Sequence, residues 1–337
     1  MSEALKPRAN DARLVVGVGS ALVDILAHES DDFLLQVGAV KGGMTYVEKD
    51  HIDRTLGMTA AKPQIVPGGS ACNTAVGIGK LGGQARFVGK SGRGEMGRFL
   101  EAGLRSNGVD PVLFKSDSPT GRVLSIITPD AQRSMLTFLG AASESHPDEV
   151  LSGCLSGAAI VHVEGYLLFN PELIRSALRG ARAAGAKISL DLASYNVVEA
   201  SRDLLDGLVD DYVDILIANE DEARAFTGLE DENRAVAALA ERADIAVLKV
   251  GPRGSYIAEA GKIHRIEAQG SGAAVDTTGA GDLWAAGFLY GLVNGYSMEI
   301  CGRLGSACGY EVCQVVGAAI PEAGWERIRK EMARLRP

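Results

Sequence analysis

A chain of 337 residues, 46% apolar and 23% charged, is long enough for one large core and has an ordinary globular balance. Its formal net charge of −9 argues against a general nucleic-acid or anionic-membrane binder. Cys72, Cys154, Cys301, Cys308 and Cys313 lack zinc-like pairing, the start of the chain has no apolar signal core, and no apolar run reaches transmembrane length; a cytoplasmic protein with reduced thiols is expected.

Leu14–Val18 is a short apolar strand ending in Gly17-Val18-Gly19. A dinucleotide fingerprint needs a third glycine where Leu22 stands, and no GxxxxGK[ST] loop occurs, so any nucleotide site must be built another way. Asp24 lies just beyond this strand, where parallel sheets open their crevices. A carboxylate there can accept bonds from two sugar hydroxyls; a solvated loop aspartate reads the same. Residues 31–66 are irregular, with β-like pieces such as 44–47. Gly68, Gly69 and Asn73 then open a helical run that continues to Leu81-Gly82. The glycines let backbone amides reach a ligand, and the asparagine amide can donate and accept.

Residues 85–88 read as a strand and 96–107 as a helix. A strand-rich patch follows at 112–114, 123–128 and 135–139, led by Arg133, a candidate phosphate clamp. The insertions at about 31–66 and 112–140 are expected to meet as a small sheet over the main domain. Beyond Ser143 strands (159–163, 187–190, 215–218, 245–249) alternate with helices (171–184, 202–209, 220–226, 234–242). That order implies right-handed crossovers and a parallel sheet with helices on both faces. Two short strands, 255–258 and 262–267, precede helices at 281–293, 298–312 and 322–335. No linker divides the chain.

Asp276-Thr277-Thr278-Gly279-Ala280-Gly281-Asp282 follows an extended run, 263–275, and opens the first of those last helices. A Gly279-Ala280-Gly281 turn at a helix start aims unpaired N–H groups at one point and attracts an anion there. Asp282 beside that hole would repel the anion unless it has another task, such as taking the proton of an acceptor hydroxyl during phosphoryl transfer. A helix-capping role is the plain alternative. Asn219 and Glu222 sit at a strand end, where a carboxylate could order the waters of a Mg²⁺ ion or simply face a helix dipole. Lys249-Val250-Gly251-Pro252-Arg253-Gly254 follows another strand; it could be a nucleotide loop or a hairpin turn. Five unpaired histidines, with His162 read as structural, argue against a metallohydrolase or a Ser-His-Asp enzyme.

Two glycine-led helix starts far apart in sequence resemble the two signatures of the ribokinase-like (PfkB-type) family of sugar and nucleoside kinases. The first matches at Gly68, Gly69, Asn73 and Leu81-Gly82, the second from Asp276 through Asp282, and the resemblance runs from about Val15 to Pro321. It implies a doubly wound, mainly parallel α/β domain over residues 1–337 with a β-sheet lid. It also implies transfer of the γ-phosphoryl group of ATP, with Mg²⁺ near Asn219 and Glu222. Asp282 would be the base, the Gly279–Asp282 amides the anion hole, and Asp24, Gly69 and Asn73 sugar contacts. Gly251 and Gly254 match the family's nucleotide loop, with Lys249 where many members have threonine. Asp276, Thr278 and Gly317 match a K⁺ site of many relatives. The N-terminal third is similar to adenosine kinases in Leu22-Val23-Asp24-Ile25, Asp31-Asp32-Phe33-Leu34, Pro119-Thr120-Gly121 and Arg133-Ser134, but Ser20 replaces their asparagine. Met135, Leu139 and Phe169 could wall a nucleobase. A purine nucleoside is the expected acceptor, acted on by a monomer or homodimer; a sugar acceptor and a non-catalytic nucleoside sensor are the alternatives.

Overall fold

The computed structural model describes residues 13–335 except positions 131, 152 and 271. Its strands are β1 (Leu14–Val18), β2 (Leu22–His28), β3 (Met44–Tyr46), β4 (Gln64–Gly68), β5 (Ala85–Gly92), β6 (Val109–Ser116) and β7 (Thr120–Ile127). Then come β8 (Arg133–Gly140), β9 (Ala158–Glu164), β10 (Lys187–Asp191), β11 (Ile215–Asn219), β12 (Ile245–Lys249), β13 (Ser255–Glu259) and β14 (Lys262–Ile266). Nine of them form one sheet in the order β14-β13-β12-β11-β10-β9-β1-β5-β6, parallel except at β12-β13-β14. Five form a second sheet, β3-β8-β7-β2-β4.

The large sheet is covered on both sides, so its strands are apolar on alternate residues toward two cores. Val15, Ile160, Ile215, Ile217, Ile245 and Val247 face one core, with the helices Ser70–Lys80, Ala280–Val293, Met298–Cys313 and Glu322–Leu335. Val16, Val18, Val161, Val163, Leu190 and Leu216 face the other, with Pro171–Ala183, Arg202–Tyr212, Glu220–Thr227 and Glu232–Ala240. All five cysteines are free. Among the described residues no helix is long and apolar enough to cross a membrane.

The helical part of the sequence reading holds to within about a residue at most ends, Glu322–Leu335 included. The lid differs. It includes β2, between β7 and β4, which the sequence showed only as residues beyond a strand end: Ser20 interrupts one apolar run, and two strands follow each other into different sheets. Residues 112–114 belong to β6, which pairs in parallel with β5 at the edge of the large sheet, not to the lid. The second lid insertion is therefore β7 and β8 alone. Residues 31–66 hold two helices, Asp31–Val37 and Lys49–Leu56, hidden from periodicity by their short length. They pack Phe33, Leu34, Val37 and Ile52 on Ile25, Leu124, Ile126 and Leu136, covering the outer face of the lid sheet. The supposed extended run 263–275 is strand only to Ile266; glycines at 270 and 272 interrupt it.

Candidate active site

The parallel strands end side by side, and their last residues form a polar row: Glu164 on β9, Asp191 on β10, Asn219 on β11 and Lys249 on β12. Asp191 is in register with Glu164, and Asn219 with Lys249. Of these, sequence reasoning missed Glu164 and Asp191. The signal was present, since each is a carboxylate closing an apolar strand, the same position that singled out Asn219. Glu164 is buried and holds two turns together. Its Oε1 accepts the Ser20 N–H at 2.8 Å, and its Oε2 accepts the Ala71 N–H at 3.0 Å. Ser20 thus contributes its backbone to the frame.

Helices Ser70–Lys80 and Ala280–Val293 pack closely because a Cβ on Gly77 would come within 2.5 Å of the Ala286 Cβ. Their N-termini meet as a result. Gly69, with φ 102°, and Gly279, with φ 73°, are the N-cap residues; both take backbone that L side chains disfavour. Ser70 Oγ donates to Asp282 Oδ1 at 2.8 Å and Asn73 Nδ2 to Asp282 Oδ2 at 2.9 Å. Thr74 Oγ1 donates to the Asp282 carbonyl at 3.1 Å. Asn73, expected at the sugar, donates its amide N–H to the Asp282 carboxylate, which leaves its Oδ1 outside that bond. Burial raises the Asp282 pKa above the usual carboxylate range, against the two hydrogen bonds.

Asp24 projects from β2 on the inner face of the lid. Burial pushes its carboxyl up to about 7, with Arg133 pulling it down and Asp282 pushing it further up. Arg133 therefore acts on the Asp24 carboxylate. Gly68 closes β4 directly opposite Leu22. On the same inner face Leu22, Val123, Met135 and Leu139 pack together with Ala142. Register continues that face to β3, setting Met44 beside Met135 and Tyr46 beside Thr137. Met44 and Tyr46 are 39% and 50% exposed. Tyr46 feels the charge of Glu164, and Tyr166 feels those of Asp282, Glu164, Glu222 and Arg133; both phenols are held above their ordinary value, first by burial. Neither tyrosine was singled out from sequence, because a lone tyrosine carries no spacing. Phe169, at the end of the 3₁₀ turn Gly165–Phe169, is 54% exposed.

Asn219 and Glu222 satisfy each other. Asn219 Oδ1 accepts the Glu222 N–H at 2.9 Å, and Glu222 Oε2 accepts the Asn219 N–H at 2.7 Å. Asn219 Nδ2 also donates to Glu222 Oε1 at 2.7 Å. This is a capping box, so the helix-start role is real. Glu222 is buried, and burial with Asp191 nearby raises its pKa. Among the described residues no group of three or more His, Cys, Asp or Glu could hold a metal directly. Asn219 and Glu222 fit a Mg²⁺ ion held through its waters, since each Glu222 oxygen has a further lone pair for that. Gly251 and Gly254 bound a tight turn between β12 and the antiparallel β13, closed by Val250 N–H on the Gly254 carbonyl at 2.9 Å. Arg253 in that turn pairs with Glu220 and with Glu232. Asp276 clamps two loops: Oδ1 accepts Thr278 N–H at 2.9 Å and Thr278 Oγ1 at 2.7 Å, and Oδ2 accepts Gly317 N–H at 2.8 Å.

Burial pushes the Asp24 and Glu164 carboxyls up to about 7 in the fold, whereas unfolded carboxyls titrate at about 4. The folded chain therefore binds more protons across that window. Its stability should fall as pH rises toward about 7 and then level off. Ligand-free protein is expected to melt higher at pH 6 than at pH 8, and Asp24→Asn should raise the pH 8 melting temperature and narrow the gap. A variant with the wild-type difference would show that Asp24 is not the group responsible.

Residues 34–323 match the model of the pfkB family of carbohydrate kinases. A 5-dehydro-2-deoxygluconokinase of Bacillus subtilis (strain 168) is 30% identical over 255 residues, 71% of this chain and 78% of its own. The crystal structure of an adenosine kinase from Sinorhizobium meliloti superposes with a TM-score of 0.86 at 33% identity, over 95% of this chain and 99% of its own. A probable sugar kinase from Rhizobium etli CFN 42 superposes with a TM-score of 0.88 at 31% identity, over 96% and 99%.

Proposed function

The chain belongs to the pfkB family of carbohydrate kinases and is an ATP-dependent sugar or nucleoside kinase; from that premise we propose that its acceptor is a purine nucleoside, phosphorylated on the primary 5′-hydroxyl. Asp24 accepts hydrogen bonds from the ribose hydroxyls. Asp282 orients the 5′-hydroxyl and takes its proton, held in place by Ser70 and Asn73. The N–H groups from Gly279 to Asp282 stabilise the charge on the transferring phosphoryl group. Asn219 and Glu222 would hold a Mg²⁺ ion through its waters; when bound, it neutralises charge on the ATP phosphates. The loops joined by Asp276, Thr278 and Gly317 are the place for a monovalent cation.

The observation that carries the acceptor is the inner lid face. Met135 and Leu139 lie half-buried there, and Met44 and Tyr46 remain exposed on the same surface, above Asp24. A purine would cover this face, worth roughly 25 cal/mol per Å² of apolar surface removed from water, and a free sugar would leave it wet. The likeness to the adenosine kinase from S. meliloti supports the same reading. The likeness to the 5-dehydro-2-deoxygluconokinase favours a sugar or sugar acid as the second reading.

An ATP-dependent phosphorylation panel separates the two. Adenosine, inosine and guanosine should give kcat/KM at least about tenfold above ribose, fructose or 5-dehydro-2-deoxygluconate. Tyr46→Ala and Phe169→Ala should each impair nucleoside use more than sugar use. A free sugar with the higher kcat/KM, and no selective loss in either variant, would replace the nucleoside by a sugar and leave the kinase untouched.

A further inference from the structure

We propose that Lys249 is a catalytic residue: its ammonium contacts the γ-phosphoryl group from beneath the Gly279–Asp282 turn, and Asp191 is the positioning residue that keeps it there. Lys249 ends β12, and its side chain runs back under the start of helix Ala280–Val293. A Cβ built on Gly281 would lie only 3.0 Å from Lys249 Nζ. The ammonium therefore abuts the backbone whose N–H groups make the anion hole, and a side chain at 281 would crowd it.

Nζ donates to Asp191 Oδ2 at 2.8 Å, with the two side chains 14% and 7% exposed. That bond uses one of three N–H donors. An isolated pair this deeply buried is weak evidence for stability, since burying two charges costs about what their attraction returns. Its surroundings suggest another use. Asp191, Glu222 and Asp282 all act on Lys249, one ammonium facing three carboxylates. A polyphosphate entering that field needs a fixed positive charge beside the hole, and Lys249 is placed to give it. Burial pulls the ammonium pKa down, but the carboxylates carry it above the ordinary value, so it arrives charged.

In the transfer step the acceptor oxygen forms a bond to the γ-phosphorus. The bond from that phosphorus to the β,γ-bridging oxygen breaks, ADP leaves with the electron pair, and the hydroxyl proton passes to Asp282. Lys249 forms and breaks no covalent bond. It shares its charge between Asp191 and a γ-phosphoryl oxygen whose demand peaks during transfer.

Lys249→Met tests the role in the intact chain. Expected are a fall in kcat of about a hundredfold or more, with acceptor KM and the Kd of ADP each within about threefold of wild type. The Kd of the β,γ-imido analogue of ATP should weaken about tenfold, because only that ligand carries the γ-phosphoryl group. Calorimetric nucleotide binding needs no acceptor, so it stands apart from whether the acceptor is a nucleoside. If removing the ammonium strands Asp191 and the variant does not fold, Lys249→Met with Asp191→Asn removes both charges and is read the same way. A kcat within about threefold of wild type would overturn the proposal. So would equal weakening of ADP and the imido analogue, or a double variant that also fails to fold, since either assigns the lysine to the β-phosphate or to the fold.

Discussion

Asp282→Asn is expected to lower kcat by at least about a hundredfold while leaving acceptor and ATP KM within a few-fold, the pattern of a group whose role is exercised mainly during transfer. The substitution is nearly isosteric. Ser70 Oγ can still donate to the amide oxygen, and Asn73 can turn its own amide to meet the new NH₂ group. Stability should move the other way. Burial raises the Asp282 pKa, so the ionised carboxylate is disfavoured in the fold, and a neutral amide removes that cost. The variant should melt no lower than wild type at pH 8, and higher if desolvation outweighs the lost attraction to the helix N-terminus. Lost turnover with retained or raised stability identifies a catalytic carboxylate. Near-wild-type turnover would return Asp282 to a capping role, and collapse of both quantities would make it structural.

The parts of this molecule legible in sequence are those with period or punctuation. Long amphipathic helices and apolar parallel strands fixed the large domain, and Gly68-Gly69 and Gly279-Ala280-Gly281 marked the helix starts that converge on the site. The lid was less legible because its strands come from three separate stretches, and β2 follows β1 after only three residues. Nothing local says that Leu14–Val18 and Leu22–His28 enter different sheets; that is decided by which partners, β5 and β9 or β4 and β7, each strand finds. The site was legible in its glycines and in Asp24, Asp282, Asn219 and Glu222, but not in how they bond to one another. Asn73 stood out in sequence because an amide can contact a ligand; its bond to Asp282 follows from packing of the two helices, which no spacing encodes. Glu164 and Asp191 needed attention to what closes each strand, and Tyr46 and Tyr166 needed register and proximity that no spacing encodes.

Asp24→Ala should raise acceptor KM by about a hundredfold and leave the Kd of ATP within about twofold. A charged hydrogen bond contributes about 1.5–3 kcal/mol, two such bonds to neighbouring hydroxyls would be lost, and each 1.4 kcal/mol is a factor of ten. Gly68→Ala should produce much of the same defect without touching a ligand-binding group. A Cβ on Gly68 would sit 2.2 Å from Asp24 Oδ1 and 2.3 Å from its Cγ, so the carboxylate must turn away from the place where it meets the hydroxyls. Gly68 closes β4 beside β2, whose register leaves its backbone little freedom to yield. Both substitutions then remove one interaction, so their effects should not add: Gly68→Ala with Asp24→Ala should cost little more than Asp24→Ala alone. Full additivity would mean that the glycine contacts the acceptor directly through its backbone. A main effect of either substitution on ATP affinity would mean that the lid face and the nucleotide side of the site have been exchanged.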